Sequence, residues 1–423
     1  VEVVRYRVFQ WVGILSAYFS AQTVAQLLGI GAGLLFINFM PVQEFALYTL
    51  AFSVVSFFHF VTDLGSTSSL VYFRRRALEK GEDFGGYVAA VLSMRRWLFL
   101  VAGAGVLAGF PLFAAGQGFS TSDTLASTVA ILLTVWFQLV SSIRLLVLRL
   151  EDRYARSYWA ELVGGVVRLG LAGVLVALSL LRAWLGIATA ALASAAVSIR
   201  AGRQVPATVA GRDFSPERRR LFRYLLPTLP SSLYFSIQGP LIVWLAALFG
   251  RTENIAEVGA LSRLGMVVGL FSGLIGTVFM PRLSAVTDER IYLRRYLQFG
   301  GFLALIAAAL LAGAMMIPEL FLFVLGSSYS GLHRELVLIV AGSGLTLLGG
   351  YAVAINLARS WNRWQGAAVG LLVVAQALMV AFLPLGTTAG VLTFNLLTAT
   401  VGLLTQVTLN FLGFFRPRWV QWS

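Results

Sequence analysis

Ser16-Ala17-Tyr18-Phe19-Ser20-Ala21-Gln22 returns as Ser232-Leu233-Tyr234-Phe235-Ser236-Ile237-Gln238, with five of the seven positions identical at an offset of 216. That offset is close to half of the 423-residue chain. A second echo supports the first: Arg149, Arg153 and Tyr154 are matched by Arg359, Arg363 and Trp364, an Arg-x-x-x-Arg-aromatic pattern. The chain therefore reads as two copies of one unit, joined near residue 210. Internal duplication of hydrophobic segments is a common signature of transporters, whose substrate path runs at the repeat interface.

Composition fixes the solvent. Apolar residues make up 58% of the chain and charged residues only 12%, where a soluble domain carries about 25% charged. Mean hydropathy is +0.83. Such a chain folds in lipid, where every backbone polar group must be satisfied inside a helix or a closed barrel. Continuous apolar runs of roughly 20 residues, rather than alternating ten-residue strands, select helices. Twelve spans are expected, at about 14–37, 47–73, 97–114, 125–148, 158–181, 183–199, 226–249, 257–281, 297–317, 335–358, 365–385 and 388–414. The fold class is all-α: a polytopic membrane protein of about 12 transmembrane helices, in two pseudo-symmetric six-helix lobes around a central cavity. The lobes are expected at 1–205 and 223–423, with 206–222 as a cytoplasmic linker containing Pro206, Gly211 and Pro216.

The net charge of +14 is a topology signal and not a nucleic-acid footprint. Arg182, Arg251 and Arg334 fall in loops on one side, and Arg144, Arg168 and Arg263 inside spans. The other 26 of the 32 Lys and Arg lie on the opposite side. The positive-inside bias puts that side, and both termini, in the cytoplasm. Arg218-Arg219-Arg220 is expected to lie against anionic headgroups. The first apolar segment is too long for a signal-peptide core and is expected to remain as a helix.

Enzymatic constellations are missing. There is no Cys, and His59 and His333 are the only histidines. No carboxylates stand at metal-ligand spacing, so neither metal nor cofactor is expected. The informative residues are polar groups inside spans, which are costly in lipid and tend to line a path. Arg263, deep in span eight, either grips an anion in a watery cavity or pairs structurally, for example with Glu257. Arg168, near the middle of span five, either binds a ligand or pairs with Glu161 on the same helix. Arg144 is close enough to a span end to snorkel. Ser20 and Gln22 in span one are matched by Ser236 and Gln238 in span seven, which suits either a substrate cavity or helix–helix hydrogen bonding. Asp63, the only acid deep in span two, is the candidate for a coupling proton or sodium ion; the alternative is neutralisation of Arg74 to Arg76. Pro227, Pro230 and Pro240 predict a bent seventh span.

Phe45-Ala-Leu-Tyr48 followed by Asp63-Leu-Gly65-Ser-Thr-Ser-Ser-Leu70 resembles the opening of the bacterial polysaccharide export proteins, the lipid-linked oligosaccharide flippases. Their superfamily also includes lipid II flippases and multidrug/toxin extrusion antiporters. Pro227-x-x-Pro230, Val258-Gly-Ala-Leu-Ser-Arg263-Leu, Pro281-Arg-Leu-Ser284 and Leu325-Gly-Ser-Ser-Tyr329 extend the resemblance over nearly the whole chain. It implies a two-lobed protein with a V-shaped cavity of alternating access. Arg263 matches an arginine that contacts the substrate pyrophosphate in lipid II flippases. The first-span arginines of such relatives are replaced here by Gln22 and Gln26. The expected function is a flippase moving an undecaprenyl-diphosphate-linked oligosaccharide across the bacterial inner membrane for surface polysaccharide synthesis. Its substrate-binding residues are expected to be Arg263, Arg168, Gln22, Gln238, Ser20 and Ser236. It is expected to work as a monomer in the lipid bilayer, alongside polysaccharide polymerase and assembly proteins and without nucleic acid. The rival reading is a cation-coupled multidrug antiporter of the same superfamily.

Overall fold

In the computed structural model, residues 23–81, 83–202, 215–226, 229–284, 286, 288–359, 361 and 363–415 are described. Among them eleven helices are long and apolar enough to cross a bilayer, and Thr23–Phe39 is a shorter apolar helix. Every regular element is helical. Gln22 and Ser20 lie outside the described residues. The chain divides into two compact units, Val1–Leu241 and Ile242–Ser423.

The first unit holds α1 (Thr23–Phe39), α2 (Val42–Asp63), α3 (Ser66–Lys80), α4 (Phe84–Ala115), α5 (Thr121–Leu150), α6 (Tyr154–Ala177), α7 (Ala183–Gly202) and α8 (Ser215–Leu225). The division between units falls inside α9 (Leu229–Phe249), which continues through Pro240. The second unit adds α10 (Thr252–Leu270), α11 (Ser272–Leu274), a wider π-type turn at Ile275–Phe279, and α12 (Met280–Ser284). α13 (Glu289–Met316), α14 (Pro318–Leu325), α15 (His333–Ala358), α16 (Gln365–Phe382) and α17 (Thr388–Phe415) complete it.

The duplication seen in sequence recurs as packing within each unit. In the first, α5 lies along α7 and α2 packs on α5; in the second, α15 lies along α17 and α10 packs on α15. The third span of each half opens on an aspartate cap. Asp83 accepts from the amide of Gly85 at 2.9 Å, ahead of α4, and Asp288 accepts from the amides of Arg290 and Ile291 ahead of α13. Such caps satisfy donors that the first helical turn leaves orphaned. An acid near the start of the second span also secures the start of the sixth. Glu44 accepts from the Ala183 amide at 2.8 Å and from Arg182 at 3.1 Å. In the second unit Glu257 accepts from the Thr388 hydroxyl, which in turn accepts from Asn254 at 2.9 Å.

Two sequence expectations are corrected. Arg74 to Arg96 was expected to be an inward loop, but α3 runs to Lys80, with left-handed Gly81 after it, and α4 begins at Phe84. Span two was expected to be continuous over 47–73. It is broken after Asp63, where Leu64 and Gly65 both adopt positive φ (39° and 80°). The long segment between spans nine and ten becomes the short helix α14 and one tight turn, Ser327–Tyr329. α8 lies against α3 and α4. It buries Leu221 and Leu225 in a cluster with Leu70, Phe73, Tyr87 and Val147, and Tyr224 stacks on Tyr72 with ring centroids 4.8 Å apart.

Candidate functional site

Arg168 sits near the middle of α6, and small residues bring α1 alongside it. A Cβ on Gly165 would meet Leu28 at 3.0 Å, and one on Gly31 would meet Leu169 at 3.5 Å. From α2, fully buried Tyr48 reaches toward the same point. Its ring lies among Phe36, Phe45 and Phe52, with centroids 5.2, 5.9 and 5.9 Å away. It also lies over Gly186 of α7, where an added Cβ would come within 3.0 Å of the ring. Arg168 Nη2 donates to the Tyr48 hydroxyl at 3.4 Å, and its Cζ stands 5.5 Å from the centre of the Phe52 ring. The Nε is buried without a hydrogen-bond partner.

Glu161 is not the counter-ion. It turns to Arg149, which donates from Nη2 at 2.5 Å and from Nε to Ser157 at 3.1 Å. Among the described residues no carboxylate pairs with Arg168. A cation–π contact is worth about 0.5–2 kcal/mol, and a 3.4 Å hydrogen bond is long for an N–H donor. Neither offsets the cost of a guanidinium inside an apolar bundle. The arrangement is that of a half-buried cation whose donors are ready for an anion, because charge-assisted bonds to phosphate are short and strong.

Asp63 has a different environment. Arg95, on α4, is 1% exposed and donates from Nη2 to Asp63 Oδ1. Its other bonds go to Ser66 at 2.7 Å, Thr67 at 2.7 Å and Ser142 of α5 at 2.9 Å. Asp63 Oδ1 also accepts from the Ser66 hydroxyl and from the Thr67 amide and hydroxyl. The carboxylate thus bridges the break between α2 and α3, and its ion-pair partner is Arg95 rather than Arg74 to Arg76. Arg144 Nη1 donates to the Ser198 carbonyl at 2.7 Å and hydroxyl at 2.8 Å, near the end of α7.

In the second unit Arg263 is 7% exposed on α10, with Nη1 3.7 Å from Met266 Sδ. Glu257, its expected partner, is engaged by Thr388. Nearby Tyr329 is buried, and burial pushes its phenol up to about 12, with the Glu257 carboxylate adding to the shift. On α9, Ser236 is buried and its hydroxyl donates back to Leu233 at 2.7 Å, while Gln238 is half-buried.

Tyr48, Phe52 and Arg95 were not among the residues expected from sequence. Tyr48 and Phe52 stand four apart on one helix face, a signal present in the chain. Arg95 was hidden by its assignment to a loop.

Solved structures share this architecture. A multidrug resistance MATE family transporter of the MOP superfamily in an inward-facing conformation gives a TM-score of 0.71 at 16% identity, covering 93% of this chain and 96% of that one. Lipid II flippase MurJ in an inward closed conformation gives 0.74 at 14% identity, covering 93% and 87%. The likeness is one of fold. A MOP superfamily transporter from Pyrococcus furiosus Vc1, described as having a binding pocket of reverse polarity, gives 0.55 at 17% identity over 94% and 95%. No protein-family model matches the chain, and no curated protein matches it in sequence.

Proposed function

We propose that the protein is a flippase that moves an undecaprenyl-diphosphate-linked oligosaccharide from the cytoplasmic to the outer leaflet of a bacterial inner membrane, by alternating access, for surface polysaccharide synthesis. One observation carries this reading. Arg168 sits at mid-span with a tyrosine hydroxyl and an aromatic ring as its contacts and no carboxylate among the described residues. A diphosphate supplies the missing counter-charge and accepts from the guanidinium edge in a paired geometry. The other arginine assigned to phosphate in this reading is Arg263, buried on α10.

The sugar then needs only hydrogen bonds, for which Gln22 and Gln238 are suited, and the lipid tail stays in the bilayer. A membrane potential negative inside favours outward movement of negative charge by about 2.3 kcal/mol per charge per 100 mV. Movement of the diphosphate therefore requires no tightly coupled ion.

The antiporter reading needs an acid available to a cation. Asp63 Oδ1 is already occupied by Arg95, Ser66 and Thr67, which favours the anionic cargo. The test is glycan export in cells whose only copy carries Arg168→Ala or Arg263→Ala. Export is expected to fall at least tenfold with normal protein level; undiminished export in both would remove the anion-grip reading.

A further inference from the structure

On the second unit, α16 and α17 enclose an open-sided groove of about 460 Å³, a size typical of small-molecule sites at about 300–1,000 Å³. Trp364, Ala367 and Leu371 line it from α16, and Val401, Leu404 and Thr408 from α17. The spacing of three and four residues puts each set on one helix face. The two hydroxyls in the wall are spent: Thr405 and Thr408 donate to the Val401 and Leu404 carbonyls at 2.7 and 2.8 Å. The indole N–H of Trp364 is the other polar group of the lining. The rest of the wall presents hydrocarbon.

The groove exists because the two repeats differ. In the first unit α6 packs on both α5 and α7, whereas α16 packs extensively on α17 alone. Next to the groove, ahead of α16, stands Arg363, which is exposed, with its guanidinium 5.7 Å from the centre of the lining Trp364 ring. No carboxylate pairs with Arg363 among the described residues. α17 also packs on α10, the helix that carries Arg263. One helix thus separates the groove from a buried arginine.

A hydrocarbon trough ending at an unneutralised guanidinium is the complement of a lipid with a phosphate head. The geometry points to this groove as the seat of the polyprenyl tail of the transported lipid, with a phosphate at Arg363. The inference rests on the flippase reading above and adds a second subsite to it. The groove is a waiting seat, occupied before the diphosphate engages Arg168. Ordinary phospholipid is the competing occupant, and an acyl chain would use the trough without needing selectivity.

The test is native mass spectrometry of the purified full-length protein, titrated separately with undecaprenyl phosphate and with phosphatidylglycerol. Undecaprenyl phosphate is expected to bind the unaltered protein about tenfold tighter than phosphatidylglycerol. Ala367→Trp, which fills the trough at an exposed position, is expected to weaken undecaprenyl phosphate about tenfold. Arg363→Gln should do the same, by loss of a charged hydrogen bond, and Arg363→Lys should restore most of the binding. Equal affinity for the two lipids would make the groove an ordinary lipid contact and overturn the inference. Unchanged undecaprenyl phosphate binding in both Ala367→Trp and Arg363→Gln would overturn it as well, as would no binding to the unaltered protein. Failure of the flippase reading looks different: Arg168→Ala and Arg263→Ala would leave glycan export intact whatever the groove variants do.

Discussion

Replacing Asp63 by asparagine removes one charge from a site whose other charge has nowhere to go. Arg95 is 1% exposed, and its guanidinium is fully engaged by Asp63, Ser66, Thr67 and Ser142. Asparagine retains an oxygen for the Ser66 and Thr67 donors but leaves Arg95 as an uncompensated buried cation. Breaking a buried pair in this way costs about 3–5 kcal/mol. The reverse change costs less. The Asp63 side chain is 23% exposed, so after Arg95→Met the carboxylate keeps some solvation and its local donors, at about 1–3 kcal/mol. The two residues touch, so the effects are not additive, with an interaction energy of about 0.5–3 kcal/mol. Arg95→Met is therefore destabilising in the unaltered protein, and its cost shrinks by the interaction energy or changes sign once Asp63→Asn is present. The assay is the midpoint of thermal unfolding for all four proteins in one detergent. An Arg95→Met effect of the same sign and size in both backgrounds would refute the coupled pair, and so would a neutral Asp63→Asn.

Further outcomes follow from close contacts. A Cβ on Gly413 would run into the buried Trp361 indole, whose ring also packs edge-on to Phe414. Gly413→Ala is expected to lower stability by about 1–3 kcal/mol, readable as a lower thermal midpoint, and an unchanged midpoint would show that the indole can move away. Gly186→Ala presses on Tyr48 and should reduce glycan export while the protein stays folded, because the hydroxyl that orients Arg168 is displaced. Glu161→Gln removes the charge that faces Arg149 and keeps an acceptor oxygen beside it; it should lower the thermal midpoint slightly and leave export unchanged. A loss of export in Glu161→Gln with normal stability would instead make Glu161 part of the transport path.

The fold was largely legible in the chain, because span length and charge asymmetry are imposed by the bilayer itself. The Ser16 to Gln22 repeat located the duplication, and paired features such as Asp83 and Asp288 bear the same mark in structure. The helix break at Leu64 was missed although Thr62-Asp63 before it and Gly65-Ser-Thr-Ser-Ser69 after it interrupt the apolar run, because the run resumes at Leu70. Reading span two as continuous misassigned the following loop, and with it Arg95, the most deeply buried cation described. Arg168 was found from its depth, but its neighbours were not. Proximity along one helix favoured Glu161, while the fold brought Tyr48 from 120 positions away. Depth in a span can be counted from sequence; partnership across helices depends on packing that small residues such as Gly165 and Gly186 allow.

The sharpest measurement is translocation of an undecaprenyl-diphosphate-linked oligosaccharide in proteoliposomes, comparing the unaltered protein with Arg168→Gln. Glutamine keeps polarity and approximate length but removes the charge that a diphosphate would neutralise. Loss of one charged hydrogen bond, at about 1.5–3 kcal/mol, corresponds to a roughly ten- to hundredfold slower rate, with a thermal midpoint no lower than that of the unaltered protein. A rate equal to that of the unaltered protein would contradict the claim that this mid-span guanidinium receives the phosphorylated cargo.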